Sequence, residues 1–274
     1  GIVSNRTFLI WSTSGLEQGF NTALLVAWLY VGRWWDGERR VLALTTLASL
    51  LALTRPDGLL TWALTGLLCA WWVWQRRLTL LSATPLVLPL LHLVWRRWTY
   101  GLWLPNTYYA KHAALWPSSG VVYLTSFLLE YGFVLWIPIA LLAVRQRERP
   151  GPVGLVAGAA VTGHLLYYTF AVGGDHFGFR VYHHLVPLIW LALPWMLGVL
   201  RPARALALGG FLLLFAQLVP WTHHLRTNDL AAVEARDGDP HAVHDALPPP
   251  LSWYGLAWEG TQSWLRGHFV CIRY

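Results

Sequence analysis

The sequence predicts an all-α fold, a polytopic transmembrane bundle of about eight helices with short polar loops, and three observations predict it. Hydrophobic residues make up 56% of the 274 and charged residues only 12%, about half the roughly 25% of an average soluble domain. Long apolar runs recur along the chain, separated by short connections that carry Arg. The 19 Trp suit a bilayer boundary, because an indole ring is stable where one edge is apolar and the other wet.

A spanning helix needs about 20 mostly apolar residues. In order along the chain, the spans are expected at 18–33, 41–54, 58–74, 78–95, 121–144, 153–172, 183–200 and 204–220. The second is short but uncharged. The fourth contains Pro85 and Pro89, which membrane helices tolerate where neighbours satisfy the freed carbonyls. Residues 1–220 thus read as the transmembrane domain. Residues 221–274 turn polar and rich in Pro, Asp and His, and read as an extracytoplasmic tail or partial domain. The end of this tail, 263–274, shows no helical period. No repeat at solenoid spacing is present.

The formal net charge is +7, yet the basic residues stand singly or in twos and threes between apolar runs. That placement orients membrane helices rather than gripping nucleic acid. Cys69 and Cys271 are far apart and define neither a disulfide framework nor a metal site, and Cys69 falls inside an apolar run. The connections alternate in character. The set near Arg33–Arg40, Arg76–Arg77, Arg145–Arg149 and Arg201–Arg204 is short and Arg-dense, so it is assigned to the cytoplasm. The other set then faces the periplasm or exterior of a plasma (inner) membrane, multi-pass protein. With eight alternating crossings, the motif-like loops share that outer side, and they offer Glu17, Asp57 and Asp175 as carboxylates, with Arg55 and Arg180 close to two of them.

Each cluster has a plain explanation beside a chemical one. Thr54-Arg55-Pro56-Asp57-Gly58 joins two spans, and Pro56 with Gly58 makes a tight turn. Asp57, like Glu17 in Ser14-Gly15-Leu16-Glu17, could simply cap the helix that follows, with Arg55 snorkelling or paired with Asp57. Arg55 could instead bind a phosphate, whose oxygens match its planar fork. Leu104–His112 brings Asn106, Tyr108, Tyr109, Lys111 and His112 together in sequence. It is either an interfacial aromatic belt or a pocket wall in which rings stack on sugars, Asn106 bonds hydroxyls and Lys111, the single lysine, meets phosphate. In Gly173-Gly174-Asp175-His176-Phe177-Gly178-Phe179-Arg180 the glycines free the backbone, and Asp175 with Arg180 could be a structural ion pair. His176, His183, His184 and Asp175 leave a divalent metal open, but nothing fixes their spacing.

Taken in order, the SGLE segment ending at Glu17, the turn at Thr54–Gly58, LPNTYYAK at Leu104–Lys111, and GGD at 173–175 followed by Arg180 and a helix resemble the glycosyltransferase-C superfamily. The resemblance covers roughly 10–220 and is to the branch of terminal arabinofuranosyltransferases of cell-wall arabinan. It implies a polytopic hexosyl- or pentosyltransferase with its active site on the outer face. The donor would be a polyprenyl-phosphate-linked sugar from the membrane lipid, and the acceptor an extracytoplasmic glycan, lipid or protein. Arg55, Lys111 and Arg180 would neutralise the departing phosphate, and Glu17, Asn106, Tyr108, Tyr109 and His183 would hold substrate. Asp57 and Asp175 would be supporting carboxylates. The family's acidic motif, which usually carries the catalytic Asp, lies upstream of SGLE. The chain starts at Gly1, so it is expected to be an N-terminally truncated fragment, inactive alone. No cofactor is implied.

Two other classes fit the same chain. A transporter would place charges on broken helices near the bilayer centre. A non-catalytic membrane assembly factor would keep the fold without the acidic motif.

Overall fold

A computed structural model of the protein describes residues 1–75, 80–105, 109, 115–146, 151–175, 178–228 and 242–268. Every regular element among them is helical. The principal helices are α1 (Arg6–Thr13), α2 (Gln18–Trp34), α3 (Gly37–Thr54), α4 (Gly58–Trp74), α5 (Val87–Tyr100), α6 (Pro117–Glu130), α7 (Ile137–Gln146), α8 (Pro152–Leu166), α9 (Leu185–Leu197), α10 (Pro202–Asn228) and α11 (Leu251–His268). The chain divides into two units. One is formed by Trp11–Ala114 with Arg149–Tyr167, and the other by Gly1–Ile10, Leu115–Glu148 and Tyr168–Tyr274.

In the first unit α3 is the hub. It packs against α2, α4, α5 and a 3-10 segment at Leu80–Leu86, while α4 and α2 pack on α8. Its buried residues Val41, Leu44, Thr45, Ala48 and Ser49 recur every three or four positions, which puts them on one helical face. Of these, Val41, Leu44 and Ala48 cluster with Trp28 and Val31 of α2 and with Leu68, Cys69 and Trp72 of α4. Cys69 is therefore packed in protein. Two prolines interrupt the 80–100 stretch, and side chains repair the damage. Pro89 has no N–H to give the carbonyl four residues earlier, and that carbonyl, on Pro85, accepts a 2.8 Å bond from Ser49 Oγ. Pro85 lies in the 3-10 segment, where the carbonyl it leaves unpaired is three residues back, on Ser82. Thr45 Oγ1 adds a bond to Ser82 O at 2.9 Å, and Trp62 Nε1 one to Leu86 O at 3.1 Å.

The second unit is built on aromatic rings. Phe127 touches Tyr131, Phe133, Phe179 and Tyr182 with centroids 5.0–5.5 Å apart. Trp136 meets Trp190 edge-on at 5.0 Å. Such tilted and edge contacts suit the ring quadrupole. Helix α6 and the segment Phe133–Gln146 meet at a bend of 79°. Gly132, at φ 64°, makes the corner, and a Cβ there would lie 2.5 Å from the Phe215 ring.

The described residues of each of the eight expected spans are mostly helical, but the helix lengths differ from expectation. Pro152–Val172, whose last turn is π-helical, and Pro202–Arg226 are long and apolar enough to cross a membrane as single helices, and the bent 117–146 pair would be a third. Helix α9 has 13 residues, about 20 Å at 1.5 Å per residue, against a hydrocarbon core of about 30 Å. Two expectations change. Arg96 and Arg97, read as the start of a loop, lie in the last turns of α5, because Arg and Trp are tolerable helix formers and the helix stops only at Gly101, whose φ is 70°. The stretch 221–274 also contains more order than its lack of period suggested. Helix α10 runs on to Asn228, and α11 reaches His268 and packs on α6. There Gln262 Nε2 donates to Ser126 Oγ at 2.7 Å and Tyr254 Oη donates to Leu129 O.

Candidate functional site

The first unit carries a three-residue ionic group. Arg55 precedes Pro56, and a residue before proline is pushed out of the helical region. It ends α3 in an extended conformation, φ −146° and ψ 145°. That turn throws the guanidinium back over Asp57. Nε donates to Asp57 Oδ1 at 3.0 Å and Nη2 to Oδ2 at 3.2 Å, a two-pronged grip on one carboxylate. From the same guanidinium, Nη1 reaches Glu17 Oε1 at 2.9 Å across 38 positions of sequence. The side chains of Arg55 and Asp57 are 13% and 9% exposed, and that of Glu17 is 44% exposed.

The pairing of Arg55 with Asp57 is what the plain explanation of this turn expects, and the bond to Glu17 is added to it. Asp57 and Glu17 sit at the N-caps of α4 and α2, yet neither makes a side-chain capping bond. Both turn to Arg55 instead. The group has a formal charge of −1, and its two carboxylates outweigh the one cation. The turn is also tightly constrained. A Cβ at Gly58 would lie 2.2 Å from the carbonyl oxygen of Leu51, so only glycine lets α4 start this close to the end of α3.

Beside the turn lies a cavity of about 210 Å³. Thr54, Arg55 and Pro56 line it on one side, Leu104 and Pro105 on another, and Pro89, His92, Leu93 and Arg96 along one face of α5. Two motifs nearly fifty residues apart, the 54–58 turn and the start of 104–112, thus share one cavity wall. Tyr109 is exposed, and its Oη accepts from the Leu104 N–H at 3.4 Å. Asn106, Tyr108 and Lys111 lie outside the described residues.

The second unit carries the Asp175–Arg180 pair. Arg180 Nε and Nη2 each lie 2.8 Å from Asp175 Oδ2, and Asp175 is buried. The glycines before it are required by space. A Cβ on Gly173 would meet the Trp116 carbonyl oxygen at 2.8 Å, and one on Gly174 the Tyr123 ring at 2.8 Å. Phe179, at φ 53°, then turns the chain so that Arg180 points back. His183 is fully buried, its ring stacked on Phe8 at 5.1 Å. The Tyr182 hydroxyl is pushed up to about 12 by burial, partly offset by its bond with Thr169. Among the described residues no three His, Cys, Asp or Glu side chains come within reach of one metal ion, and His176 is outside them.

Three residues escaped the sequence reading. His92 and Arg96 were hidden because 78–95 was read as a plain span and 96–120 as loop, although their spacing of four already puts them on one helical face. Glu130 lies at the end of α6, 4% exposed, facing Arg6, Tyr131 and Trp258. A lone carboxylate inside an apolar run is itself a signal, since such charges are rarely buried without a purpose.

No protein-family profile matches the chain, and no solved structure matches it. A terminal β-(1→2)-arabinofuranosyltransferase of Mycobacterium tuberculosis (strain ATCC 25618 / H37Rv) is 33% identical over 156 residues, covering 51% of this chain and 25% of the relative. The chain therefore spans about a quarter of that relative's length. The match supports a glycosyltransferase-like relationship.

Proposed function

We propose that the protein works as a membrane glycosyltransferase that moves a sugar from a polyprenyl-phosphate donor to an extracytoplasmic glycan, lipid or protein. The observation that carries this reading is the Glu17–Arg55–Asp57 group, two carboxylates ordered on one partly buried guanidinium beside a cavity. The partial match to an arabinofuranosyltransferase supports the class of reaction.

In this reaction the acceptor hydroxyl loses its proton to a carboxylate and attacks the anomeric carbon of the donor. The bond from that carbon to the phosphate oxygen breaks, and the phosphate leaves on its lipid. Carboxylates held by Arg55 would bond sugar hydroxyls and fix their orientation, and alignment of that kind supplies a large share of catalysis. Cations facing the leaving phosphate would stabilise the charge that develops on it. Lys111, in the 104–112 motif, is the candidate for that role taken from the motifs. Arg55 enters chiefly as a positioning residue, because two carboxylates already answer its charge.

The test is Arg55→Ala in the full-length protein, with transfer of labelled sugar from a prenyl-phosphate donor measured in isolated membranes. Transfer is expected to fall by at least about tenfold while membrane insertion is kept. Wild-type transfer in the variant would remove the group from the mechanism.

A second reading has one observation in its favour. Broken helices bearing buried charge are a hallmark of transporters, and Glu130 stands at the 79° bend between α6 and the segment that follows. Solute flux in vesicles that depends on Glu130 would favour it.

A further inference from the structure

We infer that His92 and Arg96, on one face of α5, hold the phosphate head of a lipid-linked ligand in the cavity beside the 54–58 turn. The inference rests on the lipid-phosphate reading above and names residues that no motif or relative assigns.

The balance of charge leads to it. The cavity is lined by Arg55, Arg96 and His92, and among the described residues no carboxylate lines it. Glu17 and Asp57 take up the charge of Arg55. Arg96 has no carboxylate partner among the described residues. Its guanidinium lies 5.6 Å from the Tyr100 ring, a modest cation–π contact. Its Nε is buried with no hydrogen-bond partner. What the cavity offers an anion is a permanently charged guanidinium on a wall where, among the described residues, no carboxylate answers it. His92, one helical turn earlier, brings an imidazole, whose ring N–H can donate to an anion, to the same space.

The rest of the wall defines what else the anion must carry. Leu53, Leu59, Leu93 and Trp103 line the cavity, and a free, fully hydrated inorganic ion gains nothing from them. An anionic head joined to an apolar chain satisfies both surfaces. At about 210 Å³ the cavity is smaller than the roughly 300–1,000 Å³ of drug-sized ligand pockets. It fits a phosphate and the first part of a chain. Arg suits phosphate because its planar fork matches two oxygens at once.

The experiment measures binding to the full-length protein in nanodiscs, with farnesyl phosphate, farnesol and inorganic phosphate as probes. Farnesyl phosphate is expected to bind more tightly than either of the others. Arg96→Gln is expected to weaken it by at least about tenfold, as for loss of one charge-assisted contact, and to leave farnesol unchanged. His92→Gln supplies the same test should Arg96→Gln fail to fold. Unchanged farnesyl phosphate affinity in both variants would overturn the inference. Inorganic phosphate binding as tightly as farnesyl phosphate would overturn the lipid assignment. Binding needs no transfer, so a protein that binds farnesyl phosphate through Arg96 but transfers no sugar would fail the enzyme reading alone.

Discussion

Ser49 on α3 donates a 2.8 Å hydrogen bond to the carbonyl of Pro85, the group that Pro89 leaves without an N–H. Ser49 is fully buried, so its loss strands that carbonyl. Ser49→Ala is expected to destabilise the protein by about 1–2 kcal/mol, read as a lowered unfolding midpoint in detergent. Adding Pro89→Ala, which restores an N–H for the same carbonyl, is expected to recover part of the loss. Simple additivity of the two changes would refute the coupling.

Gly58 touches the backbone of Leu51. Any Cβ at this position would stand 2.2 Å from a main-chain oxygen, so no side-chain rotation relieves the clash. Gly58→Ala is expected to cost about 2 kcal/mol or more and to disturb the Arg55–Asp57 geometry. A variant as stable as the wild type would mean that the α3–α4 turn can open.

The two acids on Arg55 are not equivalent. Asp57 is nearly buried and gripped twice, whereas Glu17 is 44% exposed and touched once. Asp57→Asn is expected to lower stability by about 2 kcal/mol, and Glu17→Gln by less than about 1 kcal/mol, an effect that fades as salt is added. Equal and equally salt-sensitive losses would show that both pairs are solvated.

Glu130 faces Arg6, and Arg6 Nη1 lies 3.0 Å from His223 Nδ1. Arg6→Met would remove the contact with His223 and the positive charge near Glu130, and is expected to cost about 1–2 kcal/mol. Arg6→Met with Glu130→Leu is expected to be less damaging than Arg6→Met alone. If the double change is the worse of the two, the charges do not depend on each other.

Much of the helical order was legible in the sequence, because apolar runs and proline placement report directly on helix position. The acids were legible as well, since Glu17, Asp57 and Asp175 stand out at the ends of apolar runs. Their partners were only half visible. Pro56 forces Arg55 into an extended shape and so predicts its proximity to Asp57, but nothing local predicts that Glu17, 38 positions earlier, meets the same guanidinium. The helical place of Arg96 was masked by its charge, which made a loop the simpler choice. Helix α11 was hidden because its packing face, with Gly255, Trp258 and Leu265 buried, mixes sizes and interrupts the apolar pattern. Whether a helix crosses a bilayer depends on length as well as hydropathy, and α9 is short for a crossing even though its composition is apolar.

The unit that contains α6 and α11 is assembled from chain segments at opposite ends of the sequence. During synthesis, α6 leaves the ribosome more than a hundred residues before the helix whose Gln262 and Tyr254 bond to it at Ser126 and Leu129. Until then those partners are unmet, and the bend after α6 lacks its cover. Maturation of this unit is therefore a late event, completed only once α11 has been made. Any pause or premature release between 130 and 251 leaves an incompletely closed species, the kind that cellular quality control removes.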